Sequence, residues 1–318
     1  ASVGMVFWNQ RMNSLTGQAE YIDVLEKSLY NGALDGLSLS GDRFFYGNPL
    51  ASSGKNMRRE WFGTACCPAN IARLIASLGN YIYGVKDNTI FVNLFVGSNT
   101  TFNLPSGTLQ FNMNTNYPWD GNITCSLQTK KKIKAPIAFR LPGWANGTAS
   151  PGGLYSFTNN TTQKPVLLLN GNPINYQIKD GYVIAEQEWK DNDVISYQLP
   201  MKVETVTARS ELNFDNNRIA FTRGPLVYCI EGADNNGKAW NVIAPQQTSF
   251  TTQNFKVLDE NVVSLIANLP AIQISSDGSN ANTGFQKVRA IPYYTWCNRG
   301  SNPMQVWLPT SFKEVRVN

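Results

Sequence analysis

Cys66 and Cys67 stand side by side and are followed by Pro68, Ala69 and Asn70. Proline favours the first turn of a helix, where its missing N–H would be unpaired anyway. The pattern therefore places both thiols at or just before a helix N-terminus. Free N–H groups and the positive end of the helix dipole stabilise a thiolate there. Lys55, Arg58 and Arg59 are close in sequence and are expected to add positive potential. A thiolate of this kind serves as a nucleophile or as a zinc ligand. Two cysteines fill only two corners of a tetrahedral zinc site, so two more donors must come from elsewhere. A disulfide between neighbours needs a strained small ring and is disfavoured. The alternative is that both are small buried apolar residues.

Other candidates are weaker. Cys125, Cys229 and Cys297 sit singly in strand-like stretches and read as core packing. Five cysteines, an odd number, exclude a fully paired disulfide framework. Histidine is absent, which removes Ser-His-Asp and Cys-His catalysis and every His-ligated metal site within the chain itself. Glu60 lies six residues before Cys66 and is a candidate acid or ligand, against the commoner role of a surface carboxylate. Phe44, Phe45, Tyr46, Trp61 and Phe62 flank a polar loop at 47–60. Aromatic faces pack against sugar rings, although aromatics beside a helical layer are more often core.

The elements that must position these residues change character near residue 85. Before it, Ile71, Leu74, Ile75, Leu78 and Ile82 follow the stripe of an amphipathic helix. Ile22, Leu25 and Leu29 make a second stripe, and Val3–Met12 suggest a third helix. After it, short alternating runs such as Ile90–Val96, Ile137–Leu141, Val194–Leu199, Ile219–Thr222, Leu226–Ile230 and Met304–Leu308 read as strands. Asp120-Gly121, Asn146-Gly147, Asn170-Gly171 and Asp180-Gly181 are turn pairs between them. Many short strands without intervening helices suggest β-sandwiches, and about 230 residues is long for one. Two are expected, with a boundary near Val203–Glu211. The fold class is α+β.

Composition narrows the function. The chain has 318 residues, 42% hydrophobic and 15% charged, with a net charge of +5. That supports packed cores rather than disorder. The Lys130, Lys131, Lys132 and Lys134 cluster reads as a solvated hairpin or edge strand, so no nucleic-acid partner is expected. No run of about 18 apolar residues is present, so no membrane span is expected, and no signal peptide is seen. Asn-x-Ser/Thr triplets at Asn99, Asn122, Asn146, Asn159 and Asn160 arise readily in a chain rich in Asn and Thr.

Longer motifs connect these features. Phe44-Phe-Tyr-Gly-Asn-Pro-Leu50, Trp61-Phe-Gly-Thr-Ala-Cys-Cys-Pro-Ala-Asn70 and Ala72-Arg-Leu-Ile-Ala-Ser-Leu78 resemble glycoside hydrolase family 127. Its members include β-L-arabinofuranosidases, and the sister family 146 shares much of the pattern. The resemblance continues through Val92-Asn-Leu-Phe95, Arg140-Leu-Pro-Gly-Trp144, Arg223–Tyr228, Pro292–Trp296, Asn298-Arg-Gly300 and Val306–Pro309, nearly the whole chain.

The resemblance implies an (α/α)6 barrel followed by β-sandwich domains. Residues 1–85 would be the last barrel helices, 86–205 one antiparallel sandwich and 206–318 a second. An interleaving of the two, with Asn88–Asn103 joining residues after about 205, is one arrangement it allows. It implies retaining hydrolysis of β-L-arabinofuranosyl or related plant-glycan residues. Cys66 would be the nucleophile, forming a thioglycosyl intermediate. Zinc would be held by Cys66, Cys67, a third Cys and a Glu, and Tyr46 would line the sugar pocket and contact the nucleophile. The Glu-x-Cys pair of ligands is expected just before Ala1, with the acid/base Glu further upstream. The chain thus reads as a C-terminal part whose partner is the missing N-terminal barrel segment. A homodimer through the sandwiches is a further expectation. The competing readings are a non-catalytic carbohydrate-binding or dimerising β-sandwich module and a structural zinc or redox site. A periplasmic or extracellular location is what a glycan-degrading bacterial enzyme suggests.

Overall fold

The computed structural model describes residues 1–159, 162–275 and 280–315, so the triplet at Asn160 lies outside the described residues. Three helices lie in the first quarter of the chain: α1 (Ser2–Thr16), α2 (Glu20–Ser28) and α3 (Cys66–Ser77). Val6, Ile22, Leu25, Leu29 and Leu74 meet in one small core between them. α1 ends on Gly17, whose left-handed backbone (φ 77°) returns its N–H to the Asn13 carbonyl.

The other regular elements are mainly strands, twenty-one among the described residues, joined by loops and short helical turns. In chain order the first ten are β1 (Ala51–Ser53), β2 (Tyr83–Lys86), β3 (Thr89–Val92), β4 (Ser98–Leu104), β5 (Gly107–Thr115), β6 (Asn122–Gln128), β7 (Ile133–Arg140), β8 (Tyr155–Phe157), β9 (Val166–Leu169) and β10 (Asn172–Pro173). Then come β11 (Gln177–Lys179), β12 (Tyr182–Trp189), β13 (Val194–Gln198), β14 (Val203–Ala208), β15 (Arg218–Arg223) and β16 (Leu226–Glu231). β17 (Thr251–Val257), β18 (Glu260–Ile274), β19 (Ala281–Pro292), β20 (Pro303–Gln305) and β21 (Leu308–Pro309) complete the set.

A six-stranded sheet, β10-β9-β13-β6-β5-β4, faces a five-stranded sheet, β11-β12-β7-β3-β2. Inward residues of both, among them Phe111, Cys125, Phe139, Trp189 and Tyr197, form the largest core. β3 and β7 run parallel, which departs from the all-antiparallel expectation. At Asn170-Gly171 and Asp180-Gly181 both turn residues have positive φ, as two-residue hairpins require.

The remaining strands form one continuous ten-stranded network rather than two separate sheets. Alternate residues serve two clusters. Ile219, Phe221, Tyr228 and Ile230 enter one, while Ala220, Cys229 and Ile291 enter the other.

The segment 88–103 stays in the first sandwich, because β3 pairs with β2 and β7 while β4 pairs with β5. Exchange between regions occurs elsewhere. β8 pairs with β14, and β1, out of the loop after the second helix, pairs with β20.

A buried polar knot joins helices to sandwich. The Arg140 guanidinium is fully buried and donates to Asp23 Oδ1 (2.6 Å), to Glu26 Oε1 and to the Asn93 carbonyl (2.7 Å). Tyr117 OH also donates to Glu26 Oε1 (2.7 Å).

Candidate active site

α3 begins at Cys66 itself, with Pro68 in its first turn and no side-chain cap at Ala65. The sulfurs of Cys66 and Cys67 are 3.7 Å apart. Ile71 and Leu74 are buried and fix the helix rotation, so Cys66 faces outward while Cys67 is half-buried. Asn70 Nδ2 donates to the Cys66 carbonyl (2.8 Å), and Arg73 donates to Asn70 Oδ1 (2.9 Å).

The other wall comes from the segment 44–48. Phe44 and Arg59 exchange backbone hydrogen bonds in both directions. Phe45 is buried, stacked on Trp296 (centroids 5.3 Å apart) and capped by the Arg58 guanidinium at 4.4 Å. Arg58 donates to the carbonyls of Asp35 (2.6 Å) and Trp296 (3.0 Å). The Asp35 carboxylate accepts from Trp296 Nε1 (2.9 Å) and Asn48 Nδ2 (3.0 Å). With Phe45 locked inward, the next side chain points out. Tyr46 is 43% exposed, its ring lies 4.1 Å from that of Phe62, and its hydroxyl is 4.0 Å from Cys66 Sγ.

These walls enclose an open cleft of about 320 Å³, whose lining includes Ala1, Phe7, Asn48, Tyr46, both cysteines and Arg73. Cys66, Cys67 and Tyr46, the residues singled out from the sequence, therefore converge. Glu60 does not join them: it pairs with Arg43 at the surface (2.7 Å). Arg58 is spent on Asp35 and the Trp296 carbonyl, and the Arg59 guanidinium lies over the Phe62 ring at 6.0 Å. The cation lining the cleft is instead Arg73, held over Phe7 at 4.7 Å. Its signal in the sequence was its spacing, seven residues and two turns beyond Cys66. Cys125 in β6 and Cys229 in β16 are buried strand residues, whereas Cys297, expected in a strand, is buried in the turn after β19 with a left-handed backbone (φ 54°).

The electrostatics differ from expectation at Cys67. Burial and the hydrogen bond with Cys66 push its thiol above the ordinary value, and Tyr46 is raised by burial and by its own interaction with Cys66. The helix start alone does not make a thiolate of Cys67; a bound cation would. The donor geometry fits one. Two thiolates on a tetrahedral zinc, each at about 2.3 Å, sit roughly 3.8 Å apart, close to the separation here. Among the described residues no group of three or more His, Cys, Asp or Glu is arranged to hold a metal, so the donors they bring to the cleft are the two thiols.

Three family models match in succession. The β-L-arabinofuranosidase GH127 catalytic domain matches residues 1–80, the GH127 middle domain 89–201 and the glycoside hydrolase family 127 C-terminal domain 203–309. The chain belongs to glycoside hydrolase family 127. A non-reducing end β-L-arabinofuranosidase of Bifidobacterium longum subsp. longum is 33% identical over 96% of the chain and 48% of its own length. A solved GH127 β-arabinofuranosidase superposes with a TM-score of 0.94 at 34% identity, covering 99% of this chain and 49% of that one. A GH127 β-L-arabinofuranosidase from Geobacillus stearothermophilus T6 gives 0.85 at 31% identity, covering 96% and 49%. The chain thus spans about half the length of these family 127 relatives.

Proposed function

We propose that this chain carries the nucleophile and half of the zinc site of a retaining glycoside hydrolase acting on β-L-arabinofuranosyl residues. The observation that supports it best is the pair of sulfurs 3.7 Å apart at the start of α3, facing the Tyr46 hydroxyl across an open cleft. Family membership supplies the reaction class, and the names of the relatives supply the sugar.

Cys66 and Cys67 would hold the zinc, with the other two donors and the acid/base carboxyl coming from outside this chain. Bound zinc keeps the thiols ionised and fixes their direction. In the first step Cys66 Sγ attacks the anomeric carbon and the C–S bond forms as the glycosidic C–O bond breaks. The leaving oxygen takes a proton from the acid/base group. In the second step water, losing its proton to that same group, displaces the thiolate and restores the original anomeric configuration. Tyr46, braced by Phe62, orients the sugar and the thiol by hydrogen bonding. Helices α1 to α3 would then close an (α/α)6 barrel begun elsewhere in the protein.

The test is hydrolysis of p-nitrophenyl β-L-arabinofuranoside by the full-length protein. Cys66→Ala should lose at least about a thousandfold in kcat. A wild-type rate in that variant overturns the assignment.

A further inference from the structure

Away from the cleft, the six-stranded sheet turns one face to the sandwich core and the other to solvent. Every outward position on its edge strand β4 and on the next two is an uncharged amide or hydroxyl residue: three on β4, four on β5 and four on β6. The register aligns them in rows. Asn99, Asn112 and Ser126 lie side by side, and Thr101, Gln110 and Gln128 form the next row. These six side chains line a shallow depression of about 280 Å³. None of them is hydrogen bonded to another described residue. The five-stranded sheet packs on the junction between α1 and α2, through Ala19 on Ala138 and Tyr182.

We propose that this face binds a neutral polysaccharide strand, separately from the catalytic cleft. The chemistry selects the ligand. A charged polymer would find no counter-charge on these rows, and an apolar surface would strip water from amides and leave them unpaired. A neutral polyol matches the face, because each sugar hydroxyl both donates and accepts, as does each amide. Rows about 7 Å apart along strands about 4.8 Å apart offer a new amide or hydroxyl to each successive sugar unit. With no aromatic platform among these residues, each contact is weak and binding grows with polymer length. The face would hold the enzyme on a glycan while the cleft works on its side chains. It goes beyond the hydrolase reading, and only the choice of arabinan as the probe rests on that reading.

The test is native affinity electrophoresis of the full-length protein in gels containing soluble arabinan, with polygalacturonate as the charged control. The variant Gln110→Glu with Asn112→Asp adds charge at two solvent-facing positions without touching the core. Arabinan should retard the wild type, and the variant should bind about tenfold more weakly, while both cleave p-nitrophenyl β-L-arabinofuranoside equally. Cys66→Ala should be retarded like wild type, so loss of hydrolysis and loss of binding are read separately. Absent retardation, equal retardation of the variant, or equal retardation by polygalacturonate overturns the proposal. So does a change of oligomeric state in the variant, which would make the face an interface between copies.

Discussion

Phe45 lies stacked on Trp296, 5.3 Å between ring centroids, and this contact ties one wall of the cleft to the C-terminal sheet 251 residues away in sequence. The backbone direction that buries Phe45 turns Tyr46 toward Cys66. Stability and site geometry are therefore coupled here. Phe45→Ala should cost about 3–5 kcal/mol of stability and lower kcat further by releasing Tyr46. Calorimetry and steady-state kinetics on the same preparation check both. An unchanged kcat in the folded variant would show that Tyr46 is positioned by something else.

This coupling explains what the sequence could and could not disclose. The helix at Cys66 was legible, because Pro68 and the spacing of Ile71 and Leu74 are local signals. Ile75, on the same apparent stripe, is 42% exposed, since its position on α3 turns away from the small helical core. The polar segment 47–60 read as loop, yet it holds β1, whose partner β20 lies some 250 residues onward. The long hairpin of β18 and β19 is less legible, because none of the first seven residues of β19 is buried and they carry no apolar alternation. Cys66 and Cys67 were legible from the local pattern before Pro68, and Tyr46 through the family resemblance. Arg73 and Asn48 were not, because only the packing of α1 and of Asp35 brings them to the cleft.

The knot around Arg140 predicts a large penalty for breaking one partner. Two carboxylates, Asp23 and Glu26, face a guanidinium with no exposed surface. Arg140→Met leaves both without their cation and should cost about 3–5 kcal/mol. Adding Asp23→Asn and Glu26→Gln should restore part of that loss. Urea unfolding of the single and triple variants measures it, and additive losses would mean that the three groups do not act together.

The same knot sets a pH dependence. Burial, with Glu26 as a second carboxylate beside it, raises Asp23 to about 6 against the attraction of Arg140. The folded state then holds a proton that the unfolded chain, at its ordinary value near 4, has lost. Stability from this group is full below about pH 4 and falls as pH rises toward 6, levelling above it. The change is on the order of 3 kcal/mol. Asp23→Asn should flatten that part of the profile. Unfolding midpoints between pH 3.5 and 7 decide it, and an equally steep slope in the variant would move the titration to another group.

The sulfur separation predicts the metal stoichiometry. Full-length protein should hold about one zinc per chain, and Cys67→Ala should lose most of it, since one corner of the tetrahedron is gone. A chelator should abolish hydrolysis, and added zinc should restore it. Elemental analysis beside the assay separates the possibilities. A Cys67→Ala protein with undiminished zinc would place the metal elsewhere.

Tyr46 offers the most local test, because its ring and its hydroxyl do different things. The ring rests on Phe62 at 4.1 Å, and the hydroxyl lies 4.0 Å from Cys66 Sγ, a distance that a bound sugar would shorten or bridge. Tyr46→Phe keeps the packing and removes only the hydrogen-bonding group. It should lower kcat about tenfold, the worth of one hydrogen bond gained in the transition state, and leave KM nearly unchanged. Tyr46→Ala removes the wall as well and should also raise KM. If Tyr46→Phe instead raised KM at constant kcat, the hydroxyl would be holding the sugar equally in ground and transition states. Its 4.0 Å approach to Cys66 Sγ would then be a matter of packing, and the thiol would owe its direction to Cys67 and the proposed metal alone.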